Sequence, residues 1–196
     1  MAITWLLVGY LFGSVSSAIV VCRGLGHGDP RNVGSNNPGT TNVLRHFGKV
    51  AAALTLVGDV AKGVVPVVLS SFLGADPHVV ALAGAGAFAG HLYPIFFGFA
   101  GGKGVATLIG VLLAFNPWLG IAFVGSWIGV ALVTRYSSLS ALSATLFAPF
   151  IAYGLGSPAP IIGAIACMGL LVFWRHESNI RNLLSGNENK IGKRKT

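Results

Sequence analysis

The chain has 196 residues, 54% hydrophobic and 9% charged, and its 13 Lys and Arg against five Asp and Glu give a net charge of +8. Soluble domains carry roughly 25% charged residues, so this composition excludes a water-soluble globule. It also argues against nucleic-acid binding, because the basic residues sit on short stretches between apolar runs rather than along one helix or sheet face.

A membrane-crossing helix needs ~20 mostly apolar residues, since the hydrocarbon core is ~30 Å thick and a helix rises ~1.5 Å per residue. Apolar runs lie near 2–22, 51–73, 78–98, 104–115, 117–133, 138–155 and 158–174. The first has no Lys or Arg before it, so it reads as a retained span rather than a cleaved signal. Its Gly9, Gly13, Ser14, Ser16 and Ser17 suit close helix packing. The third, with Gly84, Gly86, Gly90 and alternating alanines, is nearly free of side chains on one side, which predicts a central helix wrapped by the others. Residues 104–133 fit either one long helix or two short ones. Cys22 and Cys167 are too few for a disulfide framework and are expected to pack as small buried hydrophobes. No fixed-period repeat supports an inverted-repeat transporter.

Charge placement decides the topology. Arg23, Arg31, Arg45 and Lys49 lie on the first connection, Lys103 on the third, and Arg135 on the fifth. Arg175, Arg181, Lys190, Lys193, Arg194 and Lys195 follow the last run, and only Lys62 falls inside a span. Positive residues stay in the cytoplasm during insertion. The alternation works only if the chain turns at Asn116–Pro117. The expectation is one integral membrane domain over 1–196: an all-α protein of seven transmembrane helices, N-terminus outside and C-terminus cytoplasmic, with short broken helices and loops on the cytoplasmic side. Most of the net charge is then topology signal and attraction to anionic lipid.

Three polar segments share that side. Residues 34–42 hold Gly34, Ser35, Asn36, Asn37, Pro38, Gly39, Thr40, Thr41 and Asn42, followed by Arg45. Glycines let backbone N–H groups turn toward an anion, hydroxyls and amides add donors, and Arg45 adds a fixed forked charge. The composition suits a phosphate group, with a plain structured turn as the alternative; it is not a Walker A loop. The second segment runs from Gly90-His91 to Gly101-Gly102-Lys103-Gly104 at a helix start, where unpaired N–H groups face an anion. Lys103 is either an anion ligand or only a topology mark, and His91 is expected to make a helix-packing hydrogen bond. In the third, His176 and Asn179 share one helix face, while a solvated amphipathic tail suits most of residues 181–196. Ser138 sits beside Arg135 on the same side. Asp59 and Lys62, spaced i,i+3, are expected to pair in lipid and to support the site. A His-x4-Asp acyltransferase signature, a Gly-x-Ser-x-Gly elbow, a shared Cys–His motif and metal-ligand spacing are all missing.

Taken together, Gly34-Ser-Asn-Asn-Pro-Gly-Thr-Thr-Asn-Val-Leu-Arg45, Gly90-His91 with Pro94 and Phe97-Gly98, Gly101-Gly-Lys-Gly-Val-Ala-Thr107, and His176-x-x-Asn-Ile180 resemble the bacterial membrane acyl-phosphate:glycerol-3-phosphate acyltransferases. The match covers nearly the whole chain, and position 36 is Asn where some relatives have Gly. The resemblance implies acyl transfer from a fatty acyl phosphate to the 1-hydroxyl of glycerol 3-phosphate at the cytoplasmic face of the inner membrane, the first step of phospholipid synthesis. It implies Ser35, Arg45, Lys103, His176 and Asn179 as the catalytic set. Gly34, Asn37, Gly39, Thr40, Thr41, Asn42, Gly102 and Ser138 become the substrate-binding set. Acyl phosphate and glycerol 3-phosphate are the expected substrates, membrane lipids the only other partners, with no metal or cofactor and a monomeric state. The acceptor hydroxyl needs a base, and of His176 and a substrate phosphate the phosphate is preferred. A transporter for an organic phosphate is the rival reading, but the outward connections hold little polar beyond Asp76 and His78.

Overall fold

The computed structural model describes residues 1–192; Lys193, Arg194 and Lys195 lie outside the described residues. Among the described residues the regular structure is helical throughout. The helices are α1 (Ala2–Gly13), α2 (Ser17–Gly24), α3 (Thr40–Phe72), α4 (Pro77–Leu92), α5 (Val105–Phe115), α6 (Pro117–Thr134), α7 (Ser137–Gly154), α8 (Ala159–Arg175) and α9 (Glu177–Leu184).

The expected turn at Asn116–Pro117 is present. The Asn116 side chain accepts a hydrogen bond from the Trp118 N–H at 2.9 Å, and Pro117 takes the first helical position, where its missing N–H costs nothing. Gly48, at φ 90°, breaks α3 into an arm of residues 40–47 and a membrane-length remainder. The segments Ala2–Gly24, Thr40–Phe72, Pro77–Phe97 and Pro117–Thr134 are each long and apolar enough to cross a membrane, and α8 with α9, bent by 60°, would make a fifth. Helix α5 has 11 residues.

Small residues decide which helices touch. A Cβ on Gly13 of α1 would lie 2.0 Å from the Ala87 carbonyl oxygen of α4, and one on Gly86 of α4 would lie 2.2 Å from that of Leu6. A Cβ on Gly110 of α5 would likewise collide with the Val60 carbonyl of α3. Between apolar helices in lipid the drive is contact itself, so these backbones approach until only hydrogen fits. Helix α4 packs on α1, α3, α5 and α8, the central position expected of it. Phe88, Leu92, Leu108, Leu112, Phe123 and Val172 form the buried core around it. Large apolar side chains such as Leu132, Val133 and Leu170 remain exposed on the outer helices. Cys22 is buried as expected, but Cys167 is exposed on the outer face of α8, because an apolar surface facing lipid needs no protein partner.

The charged residues inside the bundle form the expected pair and more. Lys62 Nζ lies 2.8 Å from Asp59 Oδ1, with both side chains all but fully buried. Lys62 also donates to the Val15 carbonyl at 2.9 Å. Val15 lies in the break between α1 and α2, where the interrupted helix leaves carbonyl groups free. The His91 ring Nδ1 sits 3.6 Å from the same Asp59 oxygen, too long for a hydrogen bond. The pair thus ties the broken first span to α3 and brings α4 alongside.

Removing one partner of a buried pair strands the other and costs about 3–5 kcal/mol, whereas removing both is far milder. Lys62→Met should therefore lower the thermal midpoint of the detergent-solubilised protein sharply, and adding Asp59→Asn should restore much of it. A double variant as unstable as the single one would contradict this account.

Candidate functional site

The first polar segment is a stapled loop. Asn42, buried in the first turn of α3, donates from Nδ2 to the Pro30 and Val33 carbonyls at 2.9 and 3.1 Å. Its Oδ1 accepts from the Ser35 N–H at 3.2 Å. Gly34 and Asn36 adopt left-handed φ values of 61° and 56°, which glycine and asparagine tolerate best. That explains why Asn stands at position 36 where a glycine would also serve. Gly39 caps α3, so the first-turn N–H groups of Thr40 and Thr41 have no intrahelical partner. Ser35 is left exposed and Asn37 half-exposed at the loop surface. Asp29 anchors the loop's start. It accepts from the Arg31 backbone N–H and Nε and pairs with its Nη2, and Arg31 Nη1 reaches the Phe97 carbonyl at 2.7 Å. The Arg31 side chain holds the Asp29 carboxyl below the usual carboxylate range. The first loop is thereby fastened to the second.

The second loop is squeezed from two sides. The Gly102 N–H donates to the His91 carbonyl at 3.1 Å, and a Cβ on Gly102 would lie 2.1 Å from His91 Nε2. From the other side, Arg175 donates to the carbonyls of Gly101 and Gly102 at 3.0 and 3.2 Å. Gly102 therefore has both backbone groups engaged. Lys103 next to it reaches Asn179 Oδ1 on α9. Burial pushes the Lys103 ammonium below its ordinary value.

Around Lys103 the separate segments meet. Asn179 Nδ2 donates to Glu188 Oε1 at 2.7 Å, and the buried Ser138 hydroxyl donates to the same oxygen at 2.6 Å. Arg45 donates to the Asn189 carbonyl at 3.3 Å. Arg135 donates to the Ile191 carbonyl at 3.0 Å while accepting the Ile191 N–H at 2.7 Å. The Thr41 and Ser137 hydroxyls are 3.3 Å apart. Lys103, Ser138, Asn179 and Arg45 thus converge at one end of the bundle. The tail expected to be mostly solvated is exposed over most of residues 181–187, while residues 188–191 are docked across the turn between α6 and α7.

His176 occupies the bend between α8 and α9. Its Nδ1 lies 2.8 Å from the Val172 carbonyl. A carbonyl only accepts, so Nδ1 carries the hydrogen and Nε2 keeps its lone pair. Burial pushes the His176 pKa down from 6.5 to about 4, with Lys103 and Arg175 adding to the effect and the Val172 bond opposing it. The ring is neutral at pH 7 and a weak base.

Sequence reasoning missed Glu188. The one signal in the sequence was scarcity, since the chain has only five acidic residues, and in the folded chain each has a definite partner. Asp29 holds Arg31 and Asp59 holds Lys62. Asp76 caps α4, Glu177 pairs with Arg181, and Glu188 joins Ser138 to Asn179. It also missed Arg175, whose charge was counted only as a topology mark.

A sequence model described as glycerol-3-phosphate acyltransferase matches residues 3–186. The chain is 52% identical over 185 residues to a glycerol-3-phosphate acyltransferase of Hydrogenovibrio crunogenus, covering 94% of this chain and 88% of that one. Against the Methylococcus capsulatus protein of the same name, identity is 50% over 195 residues and 98% of each chain is covered. Among solved structures, the chain is similar to PlsY (YgiH), an integral membrane glycerol 3-phosphate acyltransferase. In its glycerol 3-phosphate form the TM-score is 0.93 at 37% identity, covering 97% of this chain and 96% of that one. In its lysophosphatidic acid form the values are 0.91 and 35%, with 97% and 95% covered.

Two outcomes follow from the geometry. The folded chain holds the His176 proton less tightly than the unfolded chain, so stability is lost as pH falls from 6.5 through about 4. In a histidine-labelled NMR titration His176 should stay neutral to below pH 5, and a midpoint at 6 or above would contradict its buried setting. Hydrogen bonds to a charged group contribute about 1.5–3 kcal/mol. Glu188→Ala should thus speed amide exchange at Ile191 by roughly 10- to 100-fold, and unchanged exchange would mean that the tail docks without the carboxylate.

Proposed function

The chain belongs to the integral membrane glycerol-3-phosphate acyltransferase family, and on that footing we propose that its acyl donor is a fatty acyl phosphate. The acyl group passes to the 1-hydroxyl of sn-glycerol 3-phosphate, giving lysophosphatidic acid and inorganic phosphate and so feeding phospholipid synthesis. The observation that carries this reading is the convergence of Lys103, Ser138, Asn179 and Arg45 beside the glycine- and hydroxyl-rich loop of residues 34–42. Two phosphates have to be held close together, and two donor-rich surfaces meet at one end of the bundle.

The loop suits the acyl-phosphate group. Ser35, Asn37, Thr40 and Thr41 face it with hydroxyls, amide and first-turn N–H groups, and Gly34 and Gly39 let the backbone approach. Asn42 serves by stapling the loop, because both of its amide hydrogens are taken by carbonyls. Arg45, Lys103, Ser138, His176 and Asn179 hold glycerol 3-phosphate, and Gly102 contributes shape rather than a donor. The acceptor oxygen attacks the acyl carbonyl carbon, a C–O ester bond forms, and the carbonyl C–O bond to phosphate breaks. Acyl phosphate is a mixed anhydride with a good leaving group, so orientation and charge stabilisation suffice without an acyl-enzyme. The hydroxyl proton goes to phosphate, whose second pKa is ~6. The depressed pKa of His176, about 4, supports this choice, because its Nε2 is suited to orienting the hydroxyl rather than removing its proton.

The same reading makes 1–196 one membrane domain crossing the inner membrane seven times, with the N-terminus outside and the site facing the cytoplasm. The alternating Lys and Arg positions support it, with α5 and α6 counted as two crossings on either side of Asn116. Transport of an organic phosphate is not favoured. Asp76, on an outward connection, is spent capping α4 through the His78 and Val79 N–H groups.

Purified protein given glycerol 3-phosphate should form lysophosphatidic acid with palmitoyl phosphate and none with palmitoyl-CoA. Product from palmitoyl-CoA alone would overturn the donor assignment. With the correct donor, Ser35→Ala should cut kcat by about tenfold or more and leave the acceptor KM unchanged. A raised acceptor KM as its sole effect would reassign the loop.

A further inference from the structure

Arg175 is the last residue of α8, and a basic residue at a helix C-terminus has two ordinary uses: topology and a favourable end-of-helix charge. Either needs only a charge near the interface. The guanidinium does more, forking across two successive carbonyls, Gly101 at 3.0 Å and Gly102 at 3.2 Å, more than 70 residues away in sequence. It also lies over the Tyr93 ring, 5.9 Å from its centroid, and Tyr93 is itself held by the Tyr10 hydroxyl donating to its carbonyl at 2.8 Å. The grip therefore rests on a fixed platform.

The loop it grips cannot hold itself. Gly101, Gly102 and Gly104 flank Lys103, and Gly104 takes a left-handed φ of 90°. Glycine gives a segment the widest conformational freedom of any residue. One wall is supplied by His91, whose carbonyl accepts the Gly102 N–H at 3.1 Å; Arg175 supplies the other. Between them only the Lys103 side chain is directed outward, to Asn179. Lysine is a flexible point charge, so its aim depends on where its backbone is held.

We propose that Arg175 is a positioning residue: by clamping the Gly101 and Gly102 carbonyls it fixes the loop and so aims Lys103 at the acceptor phosphate. This rests on the assignment of glycerol 3-phosphate to Lys103 made above. In this role Arg175 acts through Lys103: its Nε and one Nη are committed to the loop carbonyls.

The test is a double-mutant cycle on the full-length purified enzyme with palmitoyl phosphate as donor, joined to amide exchange at residues 102–104. Arg175→Gln should raise the acceptor KM about tenfold with a much smaller change in kcat. Lys103→Met should raise it at least as much, and the double variant should be no worse than Lys103→Met alone. Exchange at the loop should speed up in Arg175→Gln. Arg175→Lys, which keeps the charge but cannot fork, should show the same KM shift in smaller measure, and it carries the test if the Gln variant does not fold. Additive KM effects would make Arg175 a direct phosphate ligand and overturn the proposal, as would an unchanged KM and unchanged exchange in the Lys variant. Faster exchange in the Arg175 variants with a normal KM in Lys103→Met would keep the clamp on the loop and overturn the role given to Lys103.

Discussion

The bundle turns on one buried charge pair. Asp59 and Lys62 lie inside a span, and neither can be left alone in a medium that solvates ions so poorly. Pairing satisfies most of their demand, and the remainder shapes the fold around them. Lys62 has a donor left over, which reaches the Val15 carbonyl exposed by the break in the first span. Asp59 faces His91 near the end of α4. Because His91 forms the floor on which Gly102 packs, the charge pair, the broken first helix and the Lys103 loop are successive layers of one stack.

Close backbone contact is the second constraint, and it explains why the sequence is so rich in small residues where helices meet. Where Gly86 and Gly90 of α4 face the α1 backbone at Leu6 and Tyr10, and Gly13 of α1 faces Ala87, a single methyl group would push α1 and α4 apart, so α4 packs this closely because its contact face is bare. The polar stack and the bare contacts depend on each other. Helices held at this distance bring Asp59, Lys62 and His91 together, and the buried ions fix which helices approach.

Much of this was legible in the sequence, for a physical reason in each case. The i,i+3 spacing of Asp59 and Lys62 is a local helical relation, so pairing could be read directly. The turn at Asn116 followed from charge alternation and from proline chemistry, and the bareness of α4 from its composition. Segment contents pointed to Lys103, Ser138 and Asn179, but not to how they are joined. Glu188 meets Ser138 across 50 residues, and Arg175 meets Gly101 across 74. Spacing carries no information about such contacts, which arise only when the helices pack. Asn42 shows a different limit. Its amide looked like a donor to phosphate, and only the fold reveals that carbonyls of its own loop take both hydrogens.

The docking of residues 188–191 has a bearing on biosynthesis. A chain made from its N-terminus completes the loop of residues 34–42 and the Lys103 loop long before Arg175, His176, Asn179 and Glu188 leave the ribosome. Until then Gly101 and Gly102 lack their clamp, Lys103 lacks Asn179, and the turn at Arg135 lacks its strap. The earlier helices can thus be inserted and packed before these polar contacts close. The contacts of Glu188 with Ser138 and Asn179 form only after both of those helices have been made.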